Sequence, residues 1–311
     1  MRKRDFFHTG LNVSRSDLAG MPFSPYGKNP TGADDFYCDG NALISEDGTS
    51  FDSPTNSLQE AIALSNASMA RNRYFARRNR IFFCADDMDE DLTTLPQKCD
   101  IIGLGSRNAG MKAGIVGTHE PTTGSGCRFF NVHFLGIAAA APIWTLDLTV
   151  AGFGFYRCTF DGSPGTVTSG ILATASTLLE VHGCEFWGAF ATSAISIGAG
   201  NMVQFHICNN EIGGTPTFVP AAGIIVDILA TAGYGAFITD NNIRCTGLII
   251  DDNADICRIT GNRGFSDVAV GTDATLVEYI NGNVALGADN KISGGTLANA
   301  DWPVVDIVAA S

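Results

Sequence analysis

The stretch of sequence that decides the fold is FHICNNEIG at residues 205–213, because its pattern returns three more times along the chain. The later copies are AFITDNNIRC at 236–245, CRITGNRGF at 257–265 and YINGNVAL at 279–286. In each copy an asparagine follows the short β-rich run, and these asparagines are Asn210, Asn241, Asn262 and Asn283. They are separated by 31, 21 and 21 residues. A strand–bend–strand unit that recurs in this way predicts a solenoid of stacked repeats.

Apolar columns accompany the asparagines. Three residues before each asparagine stands an isoleucine, and this column continues backwards at a spacing of 26 residues through Val181, Phe155 and Phe129. The asparagine column itself continues backwards as Cys184, Cys158 and Val132. A second apolar column, five residues beyond the first, consists of Phe134, Phe160, Phe186, Ile212 and Ile243. Because side chains alternate along a strand, both columns are expected to face a common core.

The chain divides into four segments by composition. Residues 1–40 contain several prolines and glycines and no sustained period, so we expect an extended N-terminal arm. Residues 41–80 are expected to cap the repeats, with a helix near 57–70 that starts at the capping-box pair Ser57 and Glu60. The repeats occupy 81–290, and the apolar segment 291–311 is expected to close the far end or to contact another subunit. The predicted class is therefore all-β.

Composition limits the partners. The formal net charge of −13 disfavours non-specific binding to nucleic acid, whose phosphates select for clustered Lys and Arg. No apolar run has the length of a membrane span, so no membrane contact is expected. The nine cysteines lack the paired spacing of a zinc site or a disulfide framework. We expect no metal and no cofactor, and synthesis in a reducing cytoplasm.

Two charged regions stand out. Residues 1–30 carry five basic and two acidic side chains, and Arg2, Lys3 and Arg4 are candidate anchors to an acidic partner. The alternative is a disordered tail. Farther along, five arginines lie within 71–80 and five carboxylates within 86–91. We expect these two runs to neutralise each other on a solvated surface.

Several local motifs resemble those of a known group. They are Asp39-Gly40, the run DGTS at 47–50, the cap SLQEAI at 57–62, IIGLG at 101–105 and the Gly-Asn bends. With them the chain resembles pectate-lyase-like right-handed parallel β-helix proteins, and its layout is similar to β-helical proteins of bacteriophage virions. The resemblance covers residues 36–290. It implies a single-stranded right-handed parallel β-helix, and association as a trimer with the axes side by side.

Catalytic motifs of such proteins match poorly. Polygalacturonase-like hydrolases carry an Asp-Asp, a Gly-His-Gly and an Arg-Ile-Lys, whereas this chain has Asp251-Asp252 and Arg258-Ile259-Thr260 without the Gly-His-Gly. The best remaining carboxylates are Glu185 and Glu211, which fall in one outward column of adjacent repeats. Two carboxylates at that range could serve as the acid and nucleophile of a retaining glycosidase. The alternative is a polar surface column.

These observations favour a structural role. We expect a non-enzymatic virion protein of a bacteriophage, a trimeric capsid decoration or spike protein held by its N-terminal arm. Its partners would be its own copies and the major capsid or another virion protein, with adhesion to cell-surface polysaccharide as an additional role. The alternative is a tailspike-type enzyme, a glycosidase or lyase that degrades a host polysaccharide.

Overall fold

The computed structural model describes most of the chain between residues 33 and 293. The described ranges are 33–71, 77–105, 112–147, 150–163, 166–174, 178–198, 204–213, 219–226, 236–246, 250–252, 257–265, 270–271, 279–281, 284–286 and 292–293. The proposed anchor residues Arg2, Lys3 and Arg4, as well as Asn283 and nearly all of 291–311, lie outside them.

Within these ranges the chain forms one helix and three long parallel sheets. The helix, α1, spans Leu58–Arg71. Sheet 1 contains, in spatial order, β1 (Asp35–Asp39), β2 (Asn79–Cys84), β4 (Cys99–Gly103), β7 (Arg128–Phe130), β11 (Phe153–Tyr156), β14 (Leu179–His182), β17 (Phe205–Cys208), β20 (Ala236–Thr239), β23 (Cys257–Thr260) and β26 (Tyr279–Asn281). The sheet thus takes its first strand from residues that precede α1.

The strands of the other sheets follow the same spatial progression. Sheet 2 contains β3 (Met88–Asp89), β5 (Ala113–Val116), β8 (Val132–Leu135), β12 (Thr159–Asp161), β15 (Glu185–Trp187), β18 (Glu211–Ile212), β21 (Asn242–Arg244), β24 (Arg263–Phe265) and β27 (Val284–Leu286). Sheet 3 contains β9 (Trp144–Leu146), β13 (Ser169–Ala173), β16 (Ser193–Ile197), β19 (Ala222–Val226) and β22 (Ile250–Asp252). Two small parallel pairs are β6 (Gly124–Ser125) with β10 (Val150–Ala151), and β25 (Val270–Gly271) with β28 (Ile292–Ser293).

The chain visits the sheets in a fixed order. From β7 to β22 it runs from sheet 1 to sheet 2 to sheet 3 and then returns to sheet 1 beside the strand it left. We call one such circuit a repeat. The register is constant, so that Phe155 pairs with Phe129 on one side and with Val181 on the other. The all-β class and the parallel pairing of strands are therefore confirmed.

The two apolar columns meet in the core, together with inward side chains of sheet 3 such as Trp144 and Ile171. Phe155 and Phe160 are fully buried, and their rings meet edge to face at 5.0 Å. Phe160 also stacks on Phe186 of the next repeat at 4.6 Å, with the ring planes 7° apart. Each core side chain thus packs both within its own repeat and against the next one. Burying such rings away from water is the main stabilising contribution, at about 1.5–3 kcal/mol for a Phe side chain.

Bends between sheets 1 and 2 use the left-handed backbone conformation. A column asparagine would tolerate this conformation, but Asn210, Asn241 and Asn262 do not adopt it. The positive φ belongs to the residue before each of them, for example 56° at Asn209 and 56° at Asp240. The equivalent positions in the other repeats are Asn131, Arg157, Gly183 and Gly261. Asn, Asp and Gly tolerate this conformation best, which explains the residue at five of these six positions, all except Arg157.

Helix α1 begins as the sequence predicts, but its cap is completed from a distance. Ser57 Oγ accepts the backbone N–H of Glu60 at 3.2 Å, which is half of the expected capping box. The other half is supplied by Glu90, whose carboxylate accepts the N–H groups of Leu58 at 2.9 Å and of Gln59 at 3.2 Å. Glu60 instead accepts the hydroxyl of Ser45.

The arginine-rich run has partners other than those we expected. Arg77 bonds to Asp34 at 2.7 Å, and Arg80 forms a two-pronged pair with Asp35. Arg78 bonds to the buried Asp100 at 2.9 Å. These pairs join neighbouring strands at the start of sheet 1, and the Arg80 side chain is only 1% exposed. The predicted neutralisation by the 86–91 carboxylates on a solvated surface is therefore wrong for these three arginines.

Candidate functional site

The column asparagines form a hydrogen-bonded ladder inside the bends. Asn210 Nδ2 donates to Asn241 Oδ1 at 2.9 Å, and Asn241 Nδ2 donates to Asn262 Oδ1 at 2.8 Å. The second N–H of each amide reaches a main-chain carbonyl, that of Val181 from Asn210 and that of Ile207 from Asn241, both at 3.0 Å. All three asparagines are buried. The ladder satisfies polar groups that would be costly to bury unpaired.

Two cysteines extend this ladder into earlier repeats. The Sγ atom of Cys184 lies 3.5 Å from the carbonyl oxygen of Phe155, and that of Cys158 lies 3.6 Å from the carbonyl of Phe129. These carbonyls are equivalent to the ones that the asparagine amides reach. Burial raises the pKa of the Cys184 thiol well above its usual value. Because the thiol stays protonated, Cys184 acts as a weak donor in the bend and is not a nucleophile.

The predicted carboxylate pair lies on adjacent strands of sheet 2. Glu185 of β15 pairs in register with Glu211 of β18, so the two residues are neighbours at the usual strand spacing of about 4.8 Å. Glu185 is half-buried and Glu211 is exposed. Trp187 follows Glu185 by two residues and lies on the same face of the sheet.

The residues around this pair extend the same column. Thr159 precedes it and Asn242 follows it in register. Thr159 is fully buried, and its Oγ1 accepts the Lys112 ammonium at 2.6 Å. The geometry thus provides adjacent carboxylates with an aromatic side chain nearby, the minimum arrangement for glycoside chemistry. It equally forms a polar column on an outer sheet face.

A cleft that we did not predict lies on the outer face of sheet 1. Three rings from successive repeats stack along it: Phe130 on Tyr156 at 4.8 Å, and Tyr156 on His182 at 5.5 Å, with ring planes 14° and 8° apart. The next residue in this column is Cys208, so the ring stack ends at His182. The cleft has a volume of about 200 Å³ and is lined by Phe130, Asn131, Tyr156, Arg157, His182, Gly183 and Asn209.

Charged and titratable side chains lie in and beside the cleft. Arg157 contributes a cation, and Glu180, beside the stack, accepts the hydroxyl hydrogen of Tyr156. Burial lowers the pKa of His182, Glu180 opposes this effect, and His206 adds to it. The imidazole is therefore neutral at pH 7 and offers one donor and one acceptor.

The sequence did contain a signal for this cleft. Phe130, Tyr156 and His182 are separated by 26 residues, the period of the inward columns, but they occupy the alternate, outward positions. Neither the inward columns nor the carboxylate pair includes these positions, so the rings become apparent only when the outward residues are compared across repeats.

Other site classes find little support. In the described ranges no group of three or more His, Cys, Asp or Glu side chains could hold a metal ion. No helix among the described residues is long and apolar enough to cross a membrane. Comparisons of the chain with protein-family models, with curated proteins and with solved structures find no match.

Proposed function

We propose that the chain forms a single-stranded right-handed parallel β-helix with an N-terminal capping helix and an extended arm. The constant register supports this: each strand lies beside its equivalents in the repeats before and after, over ten strands of sheet 1. The rings of the shared core stack from one repeat to the next, so the core and the strand register indicate the same axis of stacking. Such a body is a rigid rod that presents repeated outer faces.

On this rod we propose a structural function in a bacteriophage virion. The protein would be a trimeric capsid decoration or spike protein that adheres to host-surface glycans. Because Asp35–Asp39 of the predicted arm 1–40 form β1 of sheet 1, the arm that holds it to a capsid or other virion protein would be residues 1–32. The observation that carries the structural role is the ladder, in which the buried polar residues of the bends serve the backbone. The motif resemblance to β-helical phage proteins supports the location.

The test is to find the protein in particles and then remove the arm. Purified virions should be labelled by antibody at one fixed position on the head or tail. A chain lacking residues 1–32 keeps Asp34 and Asp35, and thus the ion pairs with Arg77 and Arg80. We expect this shortened chain to fold with unchanged circular dichroism but to be missing from particles. Normal incorporation would refute the anchor, and absence of the full chain from particles would refute the virion role.

A tailspike-type enzyme is the second candidate, because Glu185 and Glu211 lie side by side with Trp187 nearby. Under the structural proposal, incubation with host capsule or lipopolysaccharide releases no new reducing ends and no unsaturated products. Cleavage that disappears in Glu185→Gln and in Glu211→Gln, while Asn242→Gln retains it, would establish the enzyme instead. Asn242 is a matched control since it is exposed and follows Glu211 in the same column.

A further inference from the structure

The bend positions on the outer edge of sheet 1 carry a side chain in some repeats and none in others. In consecutive repeats these positions hold Asn131, Arg157, Gly183 and Asn209, all with positive φ. A Cβ atom at Gly183 would have Arg157 Cγ, at 3.8 Å, as its nearest neighbour, so the space above this glycine is open. The missing side chain therefore leaves a notch between Arg157 of the repeat before and Asn209 of the repeat after.

This notch adjoins the end of the ring stack. Gly183 directly follows His182, the last ring of the stack, and both residues line the 200 Å³ cleft. The faces of Tyr156 are covered by Phe130 and His182, so the rings present their edges to solvent. Ring edges carry partial positive charge, which suits the hydroxyl oxygens of a ligand.

Polar groups are arranged around this apolar floor. Arg157 carries a positive charge on one side, and on the other side Asn209 is exposed and supplies an amide with both a donor and an acceptor. Asn131 Nδ2 is already engaged by the carbonyls of Gly103 at 3.1 Å and Gly105 at 3.3 Å, so this amide is held in place. A ligand in the notch thus meets donors and acceptors on two sides.

We propose that this cleft binds one neutral six-membered sugar ring of a glycan. A volume of about 200 Å³ is below the roughly 300–1,000 Å³ of sites for drug-sized ligands, which favours a single ring over a longer segment. The whole chain has a net charge of −13, which repels anions, so an uncharged ligand is favoured over an anionic one. The inference rests on the proposed function, which names the host surface as the source of the sugar. It adds the place on the protein where that sugar binds.

The test uses substitutions that the fold already accepts at this position. Gly183→Asn fills the notch with the residue found at the equivalent positions 131 and 209, and Arg157→Asn removes the cation in the same way. Asp240→Asn is the matched control, because Asp240 occupies the same bend position outside the cleft. The labelled full chain and the three variants are applied to an array of neutral and acidic oligosaccharides.

We expect the full chain to bind neutral glycans, and Gly183→Asn and Arg157→Asn each to weaken this binding about tenfold or more. Asp240→Asn should bind like the original chain. Binding confined to acidic glycans, binding to none, or neutral binding unchanged in Gly183→Asn would overturn the assignment. These outcomes leave the virion role intact, since that role is tested separately by the position of the protein in particles.

Discussion

At the scale of the residue, the asparagine column and its continuation through Cys184 and Cys158, here called the bend column, show which side chains a buried bend position accepts. A main-chain carbonyl of the preceding repeat must be satisfied there, and an Asn amide or a Cys thiol donates to it. The amide also provides an oxygen for the next member of the column, for which a thiol is a poor substitute. Asn241 has amide neighbours on both sides, whereas Cys184 has an amide on one side only.

The substitution Asn241→Leu tests the ladder. It removes Asn241 Oδ1, which accepts the side-chain N–H of Asn210 at 2.9 Å and its backbone N–H at 3.0 Å. It also removes the amide that donates to the carbonyl of Ile207. We expect the free energy of unfolding to fall by at least about 1–3 kcal/mol, the cost of leaving a buried polar group unpaired. Urea unfolding followed by circular dichroism measures it.

The neighbouring Asn242 gives the control for this substitution. Its side chain is exposed, so Asn242→Leu should change the free energy of unfolding by less than about 0.5 kcal/mol. Equal effects of the two substitutions would mean that the ladder contributes nothing specific to stability.

His119 gives a second prediction at this scale. Its ring is fully buried, 4.6 Å from the ring of Trp144, and Nδ1 accepts the N–H of Leu92 at 3.2 Å. Burial lowers its pKa from 6.5 to about 3. The unfolded chain therefore binds a proton between pH 6.5 and 3 that the folded chain does not, and stability decreases as the pH falls through this window.

The size of the His119 effect follows from the same pKa difference. At pH 5 the contribution is about 2 kcal/mol relative to pH 7. In His119→Gln, which keeps an acceptor for Leu92, the loss of stability between pH 7 and pH 5 should be smaller by this amount. Urea unfolding of both proteins at the two pH values measures the difference, and identical pH dependence would contradict the assignment.

At the scale of the element, the sequence predicts what depends on local order and misses what depends on distant contacts. Ser57 and the apolar residues after it are enough to place the start of α1, because capping and periodicity act within a few residues. The carboxylate that completes the cap could not be foreseen, since Glu90 reaches the helix from a position 32 residues beyond Leu58. Likewise, Arg80 can form its ion pair with Asp35 only when β1 and β2 pair.

The same distinction applies to the candidate sites. The adjacency of Glu185 and Glu211 follows from the repeat period alone, and the two residues pair in register between β15 and β18. The cleft additionally requires that the bend backbone turn left-handed at Gly183 and that the rings stack on one another, which spacing alone does not reveal. The period predicts which residues are neighbours but not the shape of the surface that they form.

Replacing Glu90 tests the long-range cap. Glu90→Ala removes the acceptor of the Leu58 and Gln59 N–H groups, and we expect a loss of about 1–2 kcal/mol, as for other N-cap deletions. Glu60→Ala is the matched control, because Glu60 is exposed and its carboxylate contacts only the half-buried Ser45 hydroxyl among its described hydrogen bonds. We expect thermal unfolding to show a clear decrease in the midpoint for Glu90→Ala and a small one for Glu60→Ala. A larger decrease for Glu60→Ala than for Glu90→Ala would mean that the local pair of Ser57 and Glu60 caps the helix.

At the scale of the whole molecule, stability is spread along a stack in which each repeat contacts mainly its neighbours. Phe155 contacts the columns of adjacent repeats through Phe129 and Val181, and sheets 1 and 2 advance together. In such an array the free energy of folding is approximately a sum over repeats and their interfaces. The proposed β-helix therefore predicts that whole repeats can be removed or added, provided that the register is kept.

Deleting one complete repeat tests this architecture directly. Removal of residues 159–184 joins Cys158 to Glu185, which already pairs in register with Thr159, and places Ile207 one repeat after Phe155. Inward residues remain inward, and Asn210 follows Cys158 in the bend column as it now follows Cys184. We expect a folded, cooperatively unfolding chain with the same circular dichroism per residue and a lower free energy of unfolding.

A deletion of half this length supplies the contrast. Removal of residues 159–171 joins Cys158 to Leu172, so residues of β13 from sheet 3 would have to replace β12 in sheet 2. Phe160 is then lost from its stack between Phe134 and Phe186, and no equivalent ring takes its place. Urea unfolding should show a broad, weakened transition or none. If both deletions unfold alike, the sheets are not built from interchangeable repeats and the β-helix proposal fails, because only a stack of whole circuits distinguishes the removal of one complete circuit from the removal of half of one.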